Sequence, residues 1–132
     1  MSPIITVDIQ IRFADVDMLG HVNNVNLQHY FDLGKTDYFR RVLKLGIVWD
    51  QLGVITANTN TSYFAQTRMT DRIYVETRVE RIGQKSLTVY QRIIEHDSEE
   101  VKAESRTVLV AFDFSQQESV PVPESWRQQI GF

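Results

Sequence analysis

The 132-residue sequence contains no cysteine. This absence excludes disulfide bonds, thiol nucleophiles and zinc sites built on thiolates from the chain. Histidine is also scarce, and His21, His29 and His96 lack the spacing of a metal-binding cluster. We therefore predict that the protein holds neither a metal ion nor a resident cofactor.

Long hydrophobic runs and an excess of positive charge are absent as well. Nowhere do about 18 apolar residues follow one another, as a membrane-spanning helix requires, and the first residues, MSPIITVDIQ, lack a basic, apolar leader. The formal net charge of −3 gives the molecule as a whole no attraction for nucleic acid. We expect a cytoplasmic protein that binds neither membranes nor nucleic acid.

The composition is that of a folded protein. Hydrophobic residues make up 42% of the sequence and charged residues 23%, which allows a real core. The length fits one domain of common size, and no linker, repeat or low-complexity stretch divides it. We predict a single domain over residues 1–132.

Hydrophobic periodicity predicts one strand followed by one long helix. Residues 7–13 alternate between apolar and polar side chains, with Val7 and Phe13 at the two ends of the apolar face. Residues 24–46 change to a helical period. The helix begins at an N-cap formed by Asn23 or Asn24 and ends at Gly46. Its apolar stripe comprises Leu27, Phe31, Gly34, Tyr38, Val42 and Leu45.

The remaining chain is predicted to be mostly strand. Four segments, residues 53–64, 71–82, 85–96 and 101–112, are rich in β-branched residues, and a short helix follows within 121–130. Turns at 82–85 and 97–100 make the last three strands an antiparallel meander. Apolar residues occupy both faces of 108–112, which indicates that a second subunit covers the outer face of the sheet.

Chemically informative residues concentrate between the first strand and the helix, in the stretch FADVDMLGHVNN (13–24). Asp15 and Asp17 lie close to the helix N-terminus, whose field keeps a carboxylate ionised. The unpaired N–H groups of that terminus can stabilise negative charge on a carbonyl oxygen. Gly20 lets the backbone turn close to a ligand, and Asn24 can position a water or a carbonyl group. Together these features suit acyl transfer.

The same stretch resembles the D-x-D-x-x-G-H-V-N-N signature of hotdog-fold acyl-CoA thioesterases of the 4-hydroxybenzoyl-CoA thioesterase type. The likeness extends over nearly the whole chain and includes Ser62, Tyr63 and Phe64 near the end of the second strand. It implies an α+β hotdog fold, in which a curved five-stranded antiparallel sheet wraps around one long central helix. It also implies a homodimer joined edge to edge, further pairing to a homotetramer, and active sites at the dimer interface.

The resemblance assigns roles to individual residues of the motif. It places the catalytic carboxylate at Asp17, as nucleophile or general base, and gives Asp15 a structural position. Asn24 occupies a position that is Tyr, His or Asn in the family, and an amide cannot act as a base. His21 either ties the loop down by hydrogen bonds or takes part in proton transfer. The backbone amides of Val22, Asn23 and Asn24 are the candidate oxyanion donors.

Substrate-binding residues are expected at two further places. In the family, the nucleotide of coenzyme A lies near the turn between the third and fourth strands, which here offers Arg81, Lys85 and Ser86, with Arg68 as a further candidate. Four aromatic residues are candidates for the acyl pocket, although aromatic residues at helical spacing are also typical of a core. They are Tyr30, Phe31, Tyr63 and Phe64.

The function predicted first is hydrolysis of a fatty or aryl acyl-CoA thioester to free acid and coenzyme A. Hydrolysis of thioesters of acyl carrier protein is an alternative, and so is a non-catalytic protein that binds acyl thioesters. Hydration or dehydration of acyl chains requires a catalytic histidine with an acidic partner, whereas the helix offers Asp32 and Asp37 without that pairing. The identity of the acyl group depends on tertiary packing, which the pattern does not specify.

Overall fold

The computed structural model describes residues 2–44 and 51–132. In these ranges the elements are β1 (Ile5–Ile9), α1 (Asn24–Tyr38), β2 (Leu52–Tyr63), β3 (Ile73–Ile82), β4 (Ser86–Glu95), β5 (Val101–Asp113), β6 (Glu118–Ser119) and α2 (Glu124–Ile130). A 3₁₀ turn, Phe13–Asp15, precedes α1, and a π-helical segment, Phe39–Leu43, continues it.

The strands form one curved antiparallel sheet in the order β1-β3-β4-β5-β2, and β6 pairs with the end of β5. Helix α1 packs across β1, β3 and β4. The predicted meander of β3, β4 and β5 is confirmed. The fold is the expected hotdog arrangement, in which a five-stranded sheet encloses one long helix.

Helix α1 is held against the sheet by a mixed stripe of side chains. Asn23 is its N-cap, and the side chain of Asn23 accepts a hydrogen bond from the amide of Val25 at 2.8 Å. Phe31 and Tyr38 are fully buried on the inner face. The described helix ends at Leu43, because Lys44 adopts a left-handed conformation with φ of 59°. The predicted helix residue Leu45 and the predicted terminator Gly46 lie outside the described residues.

In the described ranges the core consists of two clusters of buried side chains, one toward each end of α1. Leu27, Tyr30 and Phe31 pack near the start of the helix against the inner faces of β1, β3 and β4. Tyr38 and Phe39 pack near its end, together with Trp126 and Ile130 of α2 and the other halves of the strands. The start of the helix, where the motif lies, is therefore attached to a rigid apolar base.

The first strand is shorter than its alternating pattern predicts, and this prediction is corrected. Strand β1 pairs with β3 from Ile5 to Ile9, opposite Thr77 to Ile73. Because β3 begins at Ile73, no described residue continues the ladder beyond that register. Phe13, predicted to be an inward-facing strand residue, lies in the 3₁₀ turn with 88% of its surface exposed.

The two edges of the sheet differ. At the β1 edge, Arg41 donates a hydrogen bond to the carbonyl of Thr6 at 2.7 Å, so the helix covers part of this edge. At the other edge, most β2 residues are exposed. On the outer face, Val108, Val110 and Phe112 are partly exposed. That a second subunit covers this face stays a prediction. None of the helices in the described ranges is long and apolar enough to cross a membrane.

Candidate active site

The loop between β1 and α1 is a tight turn closed at its base. Val16 and Val22 form an isolated antiparallel bridge. Inside it, the amide of Asp17 donates to the carbonyl of His21 at 2.9 Å, and the amide of Gly20 donates to the carbonyl of Asp17 at 3.0 Å. Gly20 has φ of +83°, a conformation that favours glycine over any residue with a side chain.

The Asp17 side chain is held by one oxygen and leaves the other available. Its Oδ1 accepts a hydrogen bond from the amide of Leu19 at 2.9 Å. Within the described part of the chain, Oδ2 has no hydrogen-bond partner. The carboxylate is partly exposed. One oxygen is thus oriented by the turn, and the second can act on a water molecule or a carbonyl carbon.

The Asp15 side chain, in contrast, is 1% exposed and fully engaged. It accepts hydrogen bonds from the backbone amide of Arg12 at 3.0 Å, from the Arg12 guanidinium at 2.8 and 3.2 Å, and from the Tyr30 hydroxyl at 2.5 Å. Burial alone would raise the pKa of Asp15, but the hydrogen bonds from Arg12 and Tyr30 outweigh it and lower the pKa below its ordinary value. Asp15 is a structural anion that ties the loop to the helix.

The three candidate oxyanion amides are in different situations. The amide of Val22 donates to the carbonyl of Thr67 at 2.7 Å, and the amide of Asn23 donates to the carbonyl of Asp15 at 2.9 Å. The amide of Asn24, in the first turn of α1, has no acceptor among the described residues. The interpretation of Val22 and Asn23 as oxyanion donors is therefore not supported, because both groups are already satisfied. Asn24 remains available.

A cleft of about 320 Å³ opens beside this amide. Its walls bring together His21, Val22 and Asn24 from the loop and the helix start, and Tyr63 and Phe64 from the end of β2. The side chains of Tyr63 and Phe64 are about half exposed. Five of the sequence-predicted residues thus surround one cavity. Asp17 is not among its lining residues, but its backbone amide bonds the carbonyl of His21, which is.

Two other predicted pocket residues belong to the core. Phe31 is 0% exposed and Tyr30 is 6% exposed, and both pack in the cluster at the start of the helix. Neither lines the cleft. The prediction that they form the acyl pocket is corrected. Their helical spacing turns them toward the sheet, and the Tyr30 hydroxyl is used by Asp15.

The role of His21 stays a prediction, and the structure shows its backbone and its ring in different situations. The carbonyl of His21 accepts from Asp17, which secures the turn. The imidazole makes no hydrogen bond with any described residue and lies against the cleft, partly exposed. The ring is therefore open to a ligand.

The predicted coenzyme A residues lie far from this cleft along the sheet. Strand β4 begins at Ser86, next to the turn that holds Lys85. Near the other end of β4, Ile93 pairs with Ala103 of β5, and Ala103 pairs with the cleft residue Tyr63 of β2. Ile93 lies seven positions after Ser86 along the strand, which is about 23 Å. Arg81 and Lys85 are exposed, and their side chains pair with no described residue. Arg68, next to the cleft residue Thr67, is also exposed.

Two contacts that shape the cleft were missed from the sequence. The Gln28 side chain donates to Thr61 at 2.8 Å and to the Tyr63 hydroxyl at 3.1 Å, which links the helix to β2. The backbone carbonyl of Thr67 accepts a hydrogen bond from the amide of Val22 in the loop. A backbone contact of this kind leaves no signal in residue type. In the described ranges, no three His, Asp or Glu side chains are arranged to hold a metal ion.

Comparison with known proteins agrees with the hotdog fold. The family model described as the thioesterase-like superfamily matches residues 11–130. The chain belongs to this superfamily. One curated relative, the uncharacterized protein YsmA of Bacillus subtilis, is 27% identical over 82 residues, which are 62% of this chain and 55% of YsmA. The match therefore spans about half the length of that relative.

Solved structures resemble this superfamily member over nearly its whole length. A predicted thioesterase from Bacillus stearothermophilus has a TM-score of 0.86 at 27% identity, covering 98% of this chain and 95% of its own. A thioesterase from Thermus thermophilus, complexed with coenzyme A and Zn, has a TM-score of 0.83 at 28% identity, with 98% of each chain covered. A 1,4-dihydroxy-2-naphthoyl-CoA thioesterase from Synechocystis shares the fold at 19% identity, with a TM-score of 0.81 over 98% of this chain and 96% of its own.

Proposed function

We propose that the protein is an acyl-CoA thioesterase, which hydrolyses a fatty or aryl acyl-CoA to the free acid and coenzyme A. The observation that carries the proposal is a pair of polar groups in the loop and at the start of α1. The Asp17 turn presents a carboxylate oxygen without a partner among the described residues, and the Asn24 amide at the helix start is likewise unpaired there. Membership of the thioesterase-like superfamily supports it.

The two groups suit the two requirements of thioester cleavage. The amide of Asn24, in the positive field of the helix N-terminus, would stabilise the oxyanion as the carbonyl is attacked. Asp17 would either remove a proton from the attacking water or attack the carbonyl itself to form a mixed anhydride, which water then hydrolyses. In both routes the C–S bond breaks, the thiolate leaves and takes up a proton, and water supplies the new oxygen of the acid.

The choice of coenzyme A rests on the Thermus thermophilus relative, whose structure contains it. The phosphates of coenzyme A require local positive charge on an acidic protein, and Arg81 and Lys85 provide two exposed cations without a described partner. We place them, with Ser86, at the nucleotide end of the substrate. Because their turn and the cleft lie at opposite ends of the sheet, the proposal includes a homodimer.

Pairing of two β2 edges would bring the separated residues together. Strand β2 runs over twelve residues, Leu52–Tyr63, with most side chains exposed, and β5 pairs with one of its edges. Residues 52–63 contain no Lys, Glu or Pro, which natural edge strands use to prevent pairing. Antiparallel pairing about a two-fold axis would set the turn end of one sheet beside the cleft end of the other.

The experiment is an assay of thiol release from a panel of aliphatic and aromatic acyl-CoA esters. The panel includes acyl carrier protein thioesters, and Asp17→Asn is run beside the wild type. Asparagine keeps the size of the side chain and can still accept from Leu19, but it carries no charge. We expect the wild type to release thiol from at least one coenzyme A ester and the variant to lose about 100-fold or more in kcat.

Three other results would redirect the proposal. Faster release from carrier protein thioesters than from coenzyme A esters would replace the substrate class. Tight ester binding without release would indicate a non-catalytic acyl-binding protein. Unchanged activity of Asp17→Asn, with release by the wild type, would move the chemistry to another group.

A further inference from the structure

The hydroxyl group of Tyr30 is explained neither by the packing of its ring in the core nor by the proposed chemistry. Its ring is buried in the core, where phenylalanine would pack equally well. Its hydroxyl nevertheless donates to Asp15 Oδ2 at 2.5 Å, within the short range of hydrogen bonds to carboxylates. Burial, together with the Asp15 carboxylate, raises the pKa of Tyr30, so the hydroxyl stays protonated as a donor.

Asp15 connects the Tyr30 hydroxyl to both ends of the loop between β1 and α1. The Asp15 side chain binds Arg12 at the entrance of the loop, and its carbonyl accepts from the Asn23 amide at 2.9 Å and the Asn26 side chain at 3.2 Å at the exit. Asp17 lies two residues farther along the chain. A shift of Asp15 would therefore move Asp17 and the start of the helix together.

The two side-chain donors to Asp15 are not equivalent. The Arg12 side chain is 72% exposed, so solvent competes for its hydrogen bonds and no packing holds it in place. The Tyr30 ring is fixed in the core on the second turn of α1. Of the two, Tyr30 is the donor that relates Asp15 to the rigid body of the molecule.

We propose that Tyr30 is a positioning residue, whose hydroxyl holds Asp15 and thereby sets the place of Asp17 in the loop before α1. This inference rests on the proposed thioesterase function. It gives the Tyr30 hydroxyl a positioning role that packing of the ring does not require. The hydroxyl acts through Asp15 and does not contact the substrate.

The test is Tyr30→Phe, with Tyr38→Phe as its matched control. Both tyrosines are buried in α1. Among the described residues, each hydroxyl bonds one side chain, which for Tyr38 is Ser2 at 2.8 Å. Both variants lose the same atom from the core, but Tyr38 lies at the other end of the helix. Thiol release is measured on the ester that the wild type cleaves fastest, well below the melting temperature of each variant.

We expect Tyr30→Phe to lower kcat about 10- to 100-fold while KM stays within about twofold, because displacement of a catalytic group by about 1 Å has costs of this size. Tyr38→Phe should keep kcat within about twofold. Hydrogen exchange of the Asp17 and Gly20 amides, followed by NMR, should be faster in Tyr30→Phe than in Tyr38→Phe, since both amides lie inside the turn.

Equal kcat in the two variants would overturn the inference, and so would unchanged exchange of the loop amides in Tyr30→Phe. If the wild type releases no thiol from any ester, the proposed function fails, and the exchange measurement alone then decides whether Tyr30 holds the loop. Faster exchange would support its positioning role, and unchanged exchange would reject it.

Discussion

At the scale of single residues, two aspartates two positions apart have opposite roles. The Asp15 carboxylate is buried and accepts from Arg12 and Tyr30, whereas Asp17 is partly exposed with one free oxygen among the described contacts. The sequence places both in one motif and gives no difference in residue type. What separates them is the set of donors that each one reaches in the folded chain.

The same substitution should therefore affect the two positions differently. Asp15→Asn leaves at least one buried donor without a charged acceptor, and we expect it to lower the free energy of unfolding by about 1–3 kcal/mol. Asp17→Asn should change it by less than about 0.5 kcal/mol, as is usual for accessible positions. Urea unfolding followed by circular dichroism measures both. Equal losses in the two variants would contradict this assignment.

At the scale of elements, Gly34 sets the distance between α1 and the sheet. A Cβ atom built on Gly34 would lie 2.7 Å from Val75 Cγ1, 2.8 Å from Gln91 Nε2 and 2.9 Å from Thr77 Oγ1. Gln91 is 0% exposed and donates to the carbonyl of Phe31 at 2.8 Å and to Thr77 at 2.9 Å. The helix therefore approaches the sheet closely enough for a strand side chain to bond its backbone.

We expect Gly34→Ala to destabilise the protein, although alanine favours a helix over glycine by about 1 kcal/mol. The added methyl group pushes α1 away from β3 and β4. Overpacking of this kind lowers the free energy of unfolding by about 1–3 kcal/mol. Chemical denaturation measures the sign of the change in the free energy of unfolding. Thr36→Ala, at an exposed position of the same helix, is the control and should stay within about 0.5 kcal/mol of the wild type. A more stable Gly34→Ala would show that the helix can move.

The turn between β4 and β5 depends on a single carboxylate. Glu95 accepts from the amides of Asp97 and Ser98, from the Ser98 hydroxyl and from the amide of Arg72, at 2.9–3.3 Å. The backbone bond from Ser98 is the largest of the causes that lower the pKa of Glu95 from 4.5 to about 2. The ionised form is thus favoured in the folded protein.

This shift predicts a specific dependence of stability on pH. Because the folded pKa lies below the ordinary value, the contribution of Glu95 is fully present above about pH 4.5 and is lost as the pH falls toward 2. Melting temperatures measured from pH 7 to 2 should show Glu95→Gln less stable than the wild type at pH 7, with the difference shrinking below pH 4.5. Glu99→Gln, exposed in the same turn, is the control. A difference that stays constant with pH would contradict the prediction.

The elements show what the sequence can and cannot predict. Residues 73, 75 and 79 alternate in the sequence and are buried in β3, because one face of a strand must meet the core. The end of β1 was misplaced, since it depends on where β3 begins. The candidate site was predicted as a motif, but the satisfied amide of Val22 depends on the carbonyl of Thr67, 45 positions later. Hydrogen bonds between residues so far apart in the chain leave no signal in the local sequence pattern.

At the scale of the whole molecule, the geometry of one chain separates the two halves of the proposed substrate site. Asp17 belongs to the end of the sheet where Tyr63, Ala103 and Ile93 are paired, and Lys85 belongs to the opposite end. In a homodimer with two-fold symmetry, each active site would combine the cleft of one subunit with the turn of its partner. A mixed dimer of two defective chains can test this arrangement.

The two chains are Asp17→Asn and the double variant Arg81→Ala with Lys85→Ala, purified with different tags after co-expression. Each homodimer should be nearly inactive at low substrate concentration. The heterodimer would have one site with every group intact and one site with both defects, so we expect about half of the wild-type activity per dimer if the two sites act independently. Size-exclusion chromatography with light scattering measures the mass of the assembly, which is twice that of the 15.4 kDa chain for a dimer and four times for the homotetramer. If instead Asp17 and the turn of the same chain serve one substrate, every site of the heterodimer carries a defect, and the mixed dimer would remain as inactive as its parents.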